Sequence, residues 1–510
     1  MLAQPVLLTG ATGFVGRYLL RQLTAEGARV VVLVRADGEA TAVARVGNLL
    51  SETGRVVPRN VTVIPGDLSD LHLLPRRFAE LLGACETVIH AAACVSFKAR
   101  PNGDPVKTNA EGTASLFRLL NGGKLKHWVQ VSTAYVAGRR AGRVYEEDRH
   151  HGPFRNPYEA SKWQAEQFLR QQAVATGLKL TICRPGIVVG EFASGRTISY
   201  EGFYRPLRLL RLLAERFKEK PGSLGRDVSL RLELDPRGIR NLVPVDWVAR
   251  QTVELAKAAA EGVRTFHLTP AEPTRNAEVV SAIRTAWGSR GIVFSAPMAP
   301  ERRTRWERLF YANLSSLGPY WAEETEFDST NLSRTLPDDP APRIDSAAIV
   351  RLVRFADADD WGASSASRPA RPTAVFPCRQ YVERFLFDRV KQSSLPRLTQ
   401  LDVTVALSLS GPGGGTWNCR FDRGELSDIS PGDVSSAEVI YASDSGTFGR
   451  IVCGELPPAE AFFDRRFEIH GDVEMGLKLA TIFGHFVREF PFPSPEAVGF
   501  VRMNEPQATR

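Results

Sequence analysis

The sequence predicts an α/β chain: a doubly wound parallel sheet over residues 1–295, a helical aromatic extension over 296–335, a linker over 336–375 and a small α+β domain over 376–495. Three observations predict it. Short apolar runs at 6–8, 29–34, 61–65, 87–91, 127–132, 178–183 and 264–268 alternate with helical stretches such as 112–120 and 158–176. Such alternation builds a parallel sheet with helices on both faces. At 510 residues the chain exceeds what one hydrophobic core supports, so two or three domains are expected. Charge divides the same way: residues 401–510 hold 9 Lys and Arg against 16 Asp and Glu, a balance of −7 within a total of +8, which leaves +15 for residues 1–400.

Strand one runs through Val6, Leu7 and Leu8 into Thr9-Gly10-Ala11-Thr12-Gly13-Phe14-Val15-Gly16, a turn that opens a helix at 17–26. Gly10 permits the tight turn, Gly13 lets backbone approach a pyrophosphate, and Gly16 lets helix and strand pack closely. Strand two ends in Leu33-Val34-Arg35-Ala36-Asp37, with Arg45 beyond. An acidic residue here would hold the ribose 2′-hydroxyl of NAD, whereas two guanidinium groups suit a 2′-phosphate. NADPH is the expected cofactor, and Asp37 leaves NAD open. Strand five closes in Val131-Ser132-Thr133-Ala134-Tyr135, offering hydroxyls for a substrate oxygen. Tyr158 and Lys162 then fall one helical turn apart on one face. A phenol near pKa ~10 is a sluggish acid at neutral pH, and the Lys162 ammonium is expected to bring it toward the useful range.

With Asp67 in Gly66-Asp67-Leu68 and with His90-Ala91-Ala92-Ala93, these motifs resemble the extended short-chain dehydrogenase/reductase superfamily, a Rossmann fold, over roughly residues 4–295. The resemblance implies that Asp67 and Leu68 meet the adenine and that Ala91, Ala92 and Ala93 lie along the cofactor. It also implies that Asn109 belongs to the cofactor site and that Pro185 lies against the nicotinamide. By the family's spacing to Gly138 the catalytic hydroxyl is Thr133, with Ser132 as the open alternative, and the catalytic set is Thr133, Tyr158 and Lys162. Leu33-Val34-Arg35-Ala36, Ser132 through Val136, Asn156-Pro157-Tyr158, Ser161 through Glu166 and Asn241 through Val248 resemble the subgroup of fatty acyl-CoA reductases and carrier-bound thioester reductases. That subgroup implies a substrate cap around 191–240.

Within the cap, residues 203–240 carry 10 Lys and Arg against 5 Asp and Glu. Leu209, Leu210, Leu213 and Phe217 follow helical spacing, with Arg208, Arg211 and Glu215 on another face. This is either a solvated amphipathic helix or a basic lip for coenzyme A or acyl carrier protein; contact with an anionic membrane is a third reading. The extension carries Trp306, Phe310, Tyr311, Tyr320, Trp321 and Phe327, and the linker a short helix near 344–355.

In the last domain a helix is expected at 379–391, strands at 403–409, 416–421, 437–442 and 467–470, and a helix at 473–486. The strand at 403–409, Gly413-Gly414-Gly415-Thr416-Trp417, Phe448 through Gly454, Leu456 through Phe463 and the closing helix resemble the sterol-carrier-protein type-2 family. That implies an apolar tunnel for a lipid, for which Phe462, Phe463, Phe483 and Phe486 serve equally as wall or as ordinary core.

No nucleic-acid motif accompanies the basic body, no run of eighteen apolar residues appears, and the six scattered cysteines suggest free thiols and no metal site. Strand one begins too early for a signal peptide, so a cytoplasmic, membrane-peripheral protein is expected. The reading is an NADPH-dependent reductase of a lipid carbonyl, foremost a long-chain acyl thioester taken to the aldehyde and onward to the alcohol if four electrons are delivered. No adenylation or carrier segment precedes strand one, so the thioester is expected from outside. A hydroxysteroid or lipid-alcohol dehydrogenase is the alternative, and a lipid-transfer protein with a scaffold reductase half is the alternative of another class.

Overall fold

A computed structural model describes residues 2–36, 38–50, 57–100, 102–140, 142–149, 151–216, 230–258, 261–314, 320, 325–362, 376–393, 402–432, 434–456, 458–463 and 466–493. Two compact units divide the chain, Met1–Trp361 and Gly362–Arg510.

The first unit is built on seven strands: β1 (Val6–Thr9), β2 (Val30–Val34), β3 (Val61–Pro65), β4 (Thr87–His90), β5 (His127–Val131), β6 (Lys179–Pro185) and β7 (Val263–Leu268). They lie in the order β7-β6-β5-β4-β1-β2-β3, and every pairing is parallel. Side chains alternate between two cores, as period 2 requires. Val6, Leu8, Val30 and Val32 join Leu19, Leu20 and Leu23 of α1 (Phe14–Ala25) on one face. Leu7, Val31 and Leu33 join Phe117, Trp128 and Leu169 on the other. Strand order reverses between β1 and β4, and a ligand binds at the carboxyl ends beside that reversal. Helix α2 (Pro157–Thr176) carries the Tyr158/Lys162 pair; Asn156 caps it, its side chain accepting from the Glu159 N–H at 3.0 Å.

On the substrate side lie α3 (Tyr204–Arg216), a short strand Leu230–Leu232, α4 (Asn276–Trp287) and α5 (Arg305–Asn313). The stretch expected as linker begins inside this unit. Helix α6 (Ser346–Ala358) packs on α4 and buries Ile349, Leu352, Val353 and Ala356. Trp361 is also buried. The first unit therefore extends to Trp361 rather than ending before 336; the rest of the expected linker, 363–375, lies outside the described residues, as do Asp37, Phe217 and Trp321.

The second unit has five strands: β8 (Val403–Ser410), β9 (Gly415–Asp422), β10 (Glu425–Pro431), β11 (Val439–Asp444) and β12 (Phe467–Gly471). Their order is β10-β9-β8-β11-β12, with β8 and β11 parallel and the other pairs antiparallel. Helical turns over 378–390, where the sequence predicts a helix at 379–391, a short helix Pro458–Phe463, and helices α7 (Ser445–Val452) and α8 (Val473–Glu489) accompany the sheet. The sequence reading lacks β10: an edge strand pairs on one side only, and here Leu426 is its single buried side chain.

Candidate active site

The turn after β1 lies hard against the turn after β4. Gly10 has φ +72°, and a Cβ there would sit 2.5 Å from the Ala92 nitrogen; a Cβ on Gly16 would sit 1.9 Å from the Gly10 carbonyl oxygen. Thr9 Oγ1 accepts from the Ala92 N–H at 3.3 Å and donates to His90 Nδ1 at 2.8 Å, while His90 Nε2 meets Thr113 Oγ1 at 3.0 Å. Burial, with the Lys162 cation nearby, lowers the His90 pKa to about 3, so the ring joins this relay neutral. Gly13 provides no side-chain cap for α1, which leaves first-turn N–H groups and the positive helix end facing the site.

A cavity of about 710 Å³ runs from this turn across the carboxyl ends of the strands. Of the residues expected at the cofactor, Thr9, Gly10, Thr12, Gly13, Phe14, Val15, Gly16, Arg35, Arg45, Asp67, Leu68, Ala91, Ala92, Ala93 and Pro185 line it. Thr133, Tyr158 and Lys162 line it further along, as does Ser132. Arg35 and Arg45 are exposed at its rim, and Arg45 Nη1 donates to the Arg35 carbonyl. Asp67 caps the turn after β3 by accepting from the Ser69 N–H at 2.9 Å. These features fit a dinucleotide: a cradle with no room for Cβ atoms, an uncapped helix end for phosphates, and two guanidinium groups where a 2′-phosphate would emerge.

Asn109 is an exception. It does not line the cavity, because its amide is fully engaged behind the wall: Nδ2 donates to the Cys94 carbonyl at 3.0 Å and Ser161 Oγ at 2.9 Å, and Oδ1 accepts from the Cys94 N–H at 2.8 Å. The coupling between Lys162 and Tyr158 also differs from expectation. Lys162 Nζ donates to the Val131 carbonyl at 2.6 Å, and burial, opposed by Glu166, lowers its pKa to about 8. Burial, followed by the charges of Glu159 and Cys94, pushes the Tyr158 phenol above its ordinary range, so here it is a neutral donor rather than a phenolate.

Beyond Tyr158 the cavity turns apolar, walled by Leu207 and Leu210 of α3, Leu232, Val280 and Ile283 of α4, Ile292 and Phe310 of α5. Leu207, Leu210 and Leu232 fall in the expected cap around 191–240, and Phe310 and Tyr320 in the aromatic extension, whereas sequence reading gave no sign of Val280, Ile283, Ile292 or Phe97 as site residues and took Tyr135 only as part of the strand-five motif. Among the described residues of the expected basic lip, Arg208 and Arg240 are buried, Arg211 pairs with Asp357 at 3.3 Å, Arg231 pairs with Glu307 at 2.7 Å, and Arg237 is exposed.

The second unit carries a separate apolar pocket of about 100 Å³, lined among others by Leu407, Tyr441, Phe448, Phe483 and Phe486. The Phe463 side chain lies outside what the structure describes. Among the described residues no helix is long and apolar enough to cross a membrane, and no group of three His, Cys, Asp or Glu could hold a metal.

A parallel sheet with this strand order, a Gly-rich turn at its switch point and a Tyr/Lys pair at the same mouth defines the first unit as a Rossmann NAD(P)-binding domain. The comparisons particularise both units: residues 8–252 match the family model of the male sterility protein NAD-binding domains, and residues 383–484 match that of the SCP-2 sterol transfer family. An isonitrile lipopeptide synthase of Streptomyces coeruleorubidus is 37% identical over 199 residues, 37% of this chain and 13% of that protein. A carboxylic acid reductase of Mycobacterium tuberculosis is 28% identical over 292 residues, 52% of this chain and 24% of that protein. The chain spans between 8% and 36% of the length of eight curated relatives that it matches. The fold resembles the crystal structure of the terminal R domain from the myxalamid PKS-NRPS biosynthetic pathway, with a TM-score of 0.58 and 24% identity over 71% of this chain and 92% of that one.

Proposed function

We propose that this chain is an NADPH-dependent reductase that takes a lipid acyl thioester to the aldehyde. One observation carries the reading: a single cavity joins the dinucleotide cradle, the Thr133/Tyr158/Lys162 cluster and an apolar arm. Bound NADPH supplies a hydride. Thr133 and Tyr158 hold the thioester oxygen, and the neutral Tyr158 phenol gives it a proton as negative charge develops there. The resulting hemithioacetal expels the thiol and leaves the aldehyde. Lys162, anchored on the Val131 carbonyl, keeps a positive charge at the base of the site. The second unit adds a lipid-binding domain, and the thioester's carrier is coenzyme A or an acyl carrier protein.

The test is NADPH consumption with palmitoyl-CoA, with a free long-chain aldehyde and with a 3-ketosteroid, followed by product identification. Turnover of the thioester with thiol release and aldehyde formation supports the reading. Turnover of the ketosteroid alone replaces it with hydroxysteroid dehydrogenation. Tight lipid binding with no NADPH consumption on any of them leaves a lipid-transfer protein on a reductase scaffold.

A further inference from the structure

Part of the wall beside the catalytic helix comes from outside the sheet. Tyr320, from the segment after α5, places its hydroxyl against the first turn of α2: it donates to Glu159 Oε1 at 2.6 Å and accepts from Asn156 Nδ2 at 2.7 Å. Both partners belong to the machinery that orients Tyr158, since Asn156 caps the helix and Glu159 is the next residue. Glu159 is fully buried, and its remaining donors are the Arg155 backbone N–H at 2.8 Å and the Arg155 guanidinium at 3.5 Å. A phenol donating to a buried carboxylate is a charge-assisted bond, among the stronger ways to fix a side chain.

The ring is held as firmly as the hydroxyl. It stacks on Phe97 with centroids 5.3 Å apart at 26° and meets Tyr135 edge-on at 5.3 Å. The Arg155 guanidinium lies 5.3 Å from its centroid. Phe97 in turn lies 6.2 Å from the Tyr158 ring, and Tyr158, Phe97, Tyr135 and Tyr320 all line the cavity. The rings of Tyr158, Phe97 and Tyr320 thus form a continuous row that starts at the proton donor. An ordinary core tyrosine would be walled in on all sides; this one presents itself to the cavity while its hydroxyl is tied to the catalytic helix.

We propose that Tyr320 is a positioning residue for the substrate: pinned by Glu159 and Asn156, its ring forms with Phe97 the wall that seats the reacting carbonyl beside Tyr158. The inference rests on the reductase reading of the cavity. It requires that loss of the ring damage substrate recognition and leave the dinucleotide end untouched.

The experiment compares Tyr320→Leu, Tyr320→Phe and Phe97→Leu in the full-length protein. Affinity for S-hexadecyl-coenzyme A, a thioether that cannot be reduced, is measured beside affinity for NADPH, with kcat and KM on palmitoyl-CoA. Tyr320→Leu should weaken the thioether and raise KM about five- to tenfold, the scale of lost aromatic contacts, with NADPH affinity within about twofold. Tyr320→Phe should restore most of that loss because the stacked ring remains. Phe97→Leu should reproduce the defect without touching Glu159, and it carries the test if Tyr320→Leu does not fold. Thioether affinity and KM within about twofold of wild type in folded Tyr320→Leu or Phe97→Leu overturn the proposal. If wild type reduces only the 3-ketosteroid, the thioester reading fails; the same variants on that ketone then decide the role of Tyr320 separately.

Discussion

Cofactor choice should rest on two guanidinium groups of unequal attachment, and removing them in turn tests the assignment. Arg35 follows β2 at the cavity rim, and Arg45 is tethered to it through the Arg35 backbone carbonyl. Arg35→Ala removes one cation but keeps that carbonyl, so Arg45 should stay in place. Charge-assisted pairs contribute roughly 1.5–3 kcal/mol, and the exposure of Arg35 places its pair with a 2′-phosphate at the low end. About 1.4 kcal/mol is tenfold, so NADPH should bind about tenfold more weakly. Arg35→Ala with Arg45→Ala should reach about a hundredfold if the two act independently. NADH lacks the phosphate, and its affinity should stay within about twofold. Titration of both cofactors by fluorescence at low and high salt measures this, and the NADPH penalty should shrink with salt as screening weakens the arginine–phosphate pairing in the wild type. Equal losses for NADPH and NADH would remove both arginines from the phosphate site.

Tyr158→Phe keeps the ring but removes the donor, so turnover should fall about a hundredfold or more with cofactor affinity nearly unchanged; near-normal turnover on the true substrate refutes the assignment. Lys162 titrates at about 8 in the free protein, so kcat/KM should decline as pH rises through that value, and Lys162→Met should lack this limb in its residual activity. The same group links to stability. Its folded pKa lies below the unfolded value of ~10.4, so it costs stability below pH 8, and thermal melts should show that cost fading from pH 8 upward in wild type but not in Lys162→Met. A chain ending at Arg371 should fold, bind NADPH and reduce short soluble substrates. One ending at 335 should not fold stably, because α6 and its buried Ile349, Leu352 and Val353 are gone. The piece 376–510 should bind a fluorescent fatty acid, and loss of the second unit should lower efficiency on long-chain substrates; no binding by the folded piece, with long-chain activity intact in the shorter chain, sinks that idea.

The second unit's cavity sets a limit on that last expectation. At about 100 Å³ it is smaller than the ~150 Å³ engineered void that accommodates benzene, so uptake of a long acyl chain is expected to involve movement of its walls. Its lining includes Leu479, Ile482, Phe483 and Phe486, all on α8. Movement of that single helix would enlarge it without disturbing the register of the sheet. Lipid affinity should therefore respond to substitutions on α8 more than to those on β8.

What the sequence made legible follows from the range of the interactions involved. The seven apolar runs and the Gly-rich turn depend on local pattern, and each expected strand appears within two residues of its place. Tyr158 and Lys162 are recognisable because helical spacing alone brings them together. Asn109 failed for the opposite reason: its side chain is consumed by Cys94 and Ser161, partners 15 and 52 residues away, and no local pattern reveals such engagement. Tyr320 meets Glu159 across 161 residues, and Arg143 meets Asp328 across 185. The Pro- and Asp-rich composition after 336 suggested a linker, yet Asp339 accepts from Arg250 at 2.6 Å and from Gln251 at 2.7 Å, and Asp345 caps α6 through the Ala348 N–H at 2.8 Å. Residues that favour turns also cap helices and close ion pairs. Composition alone therefore could not separate a tether from a segment that completes the fold.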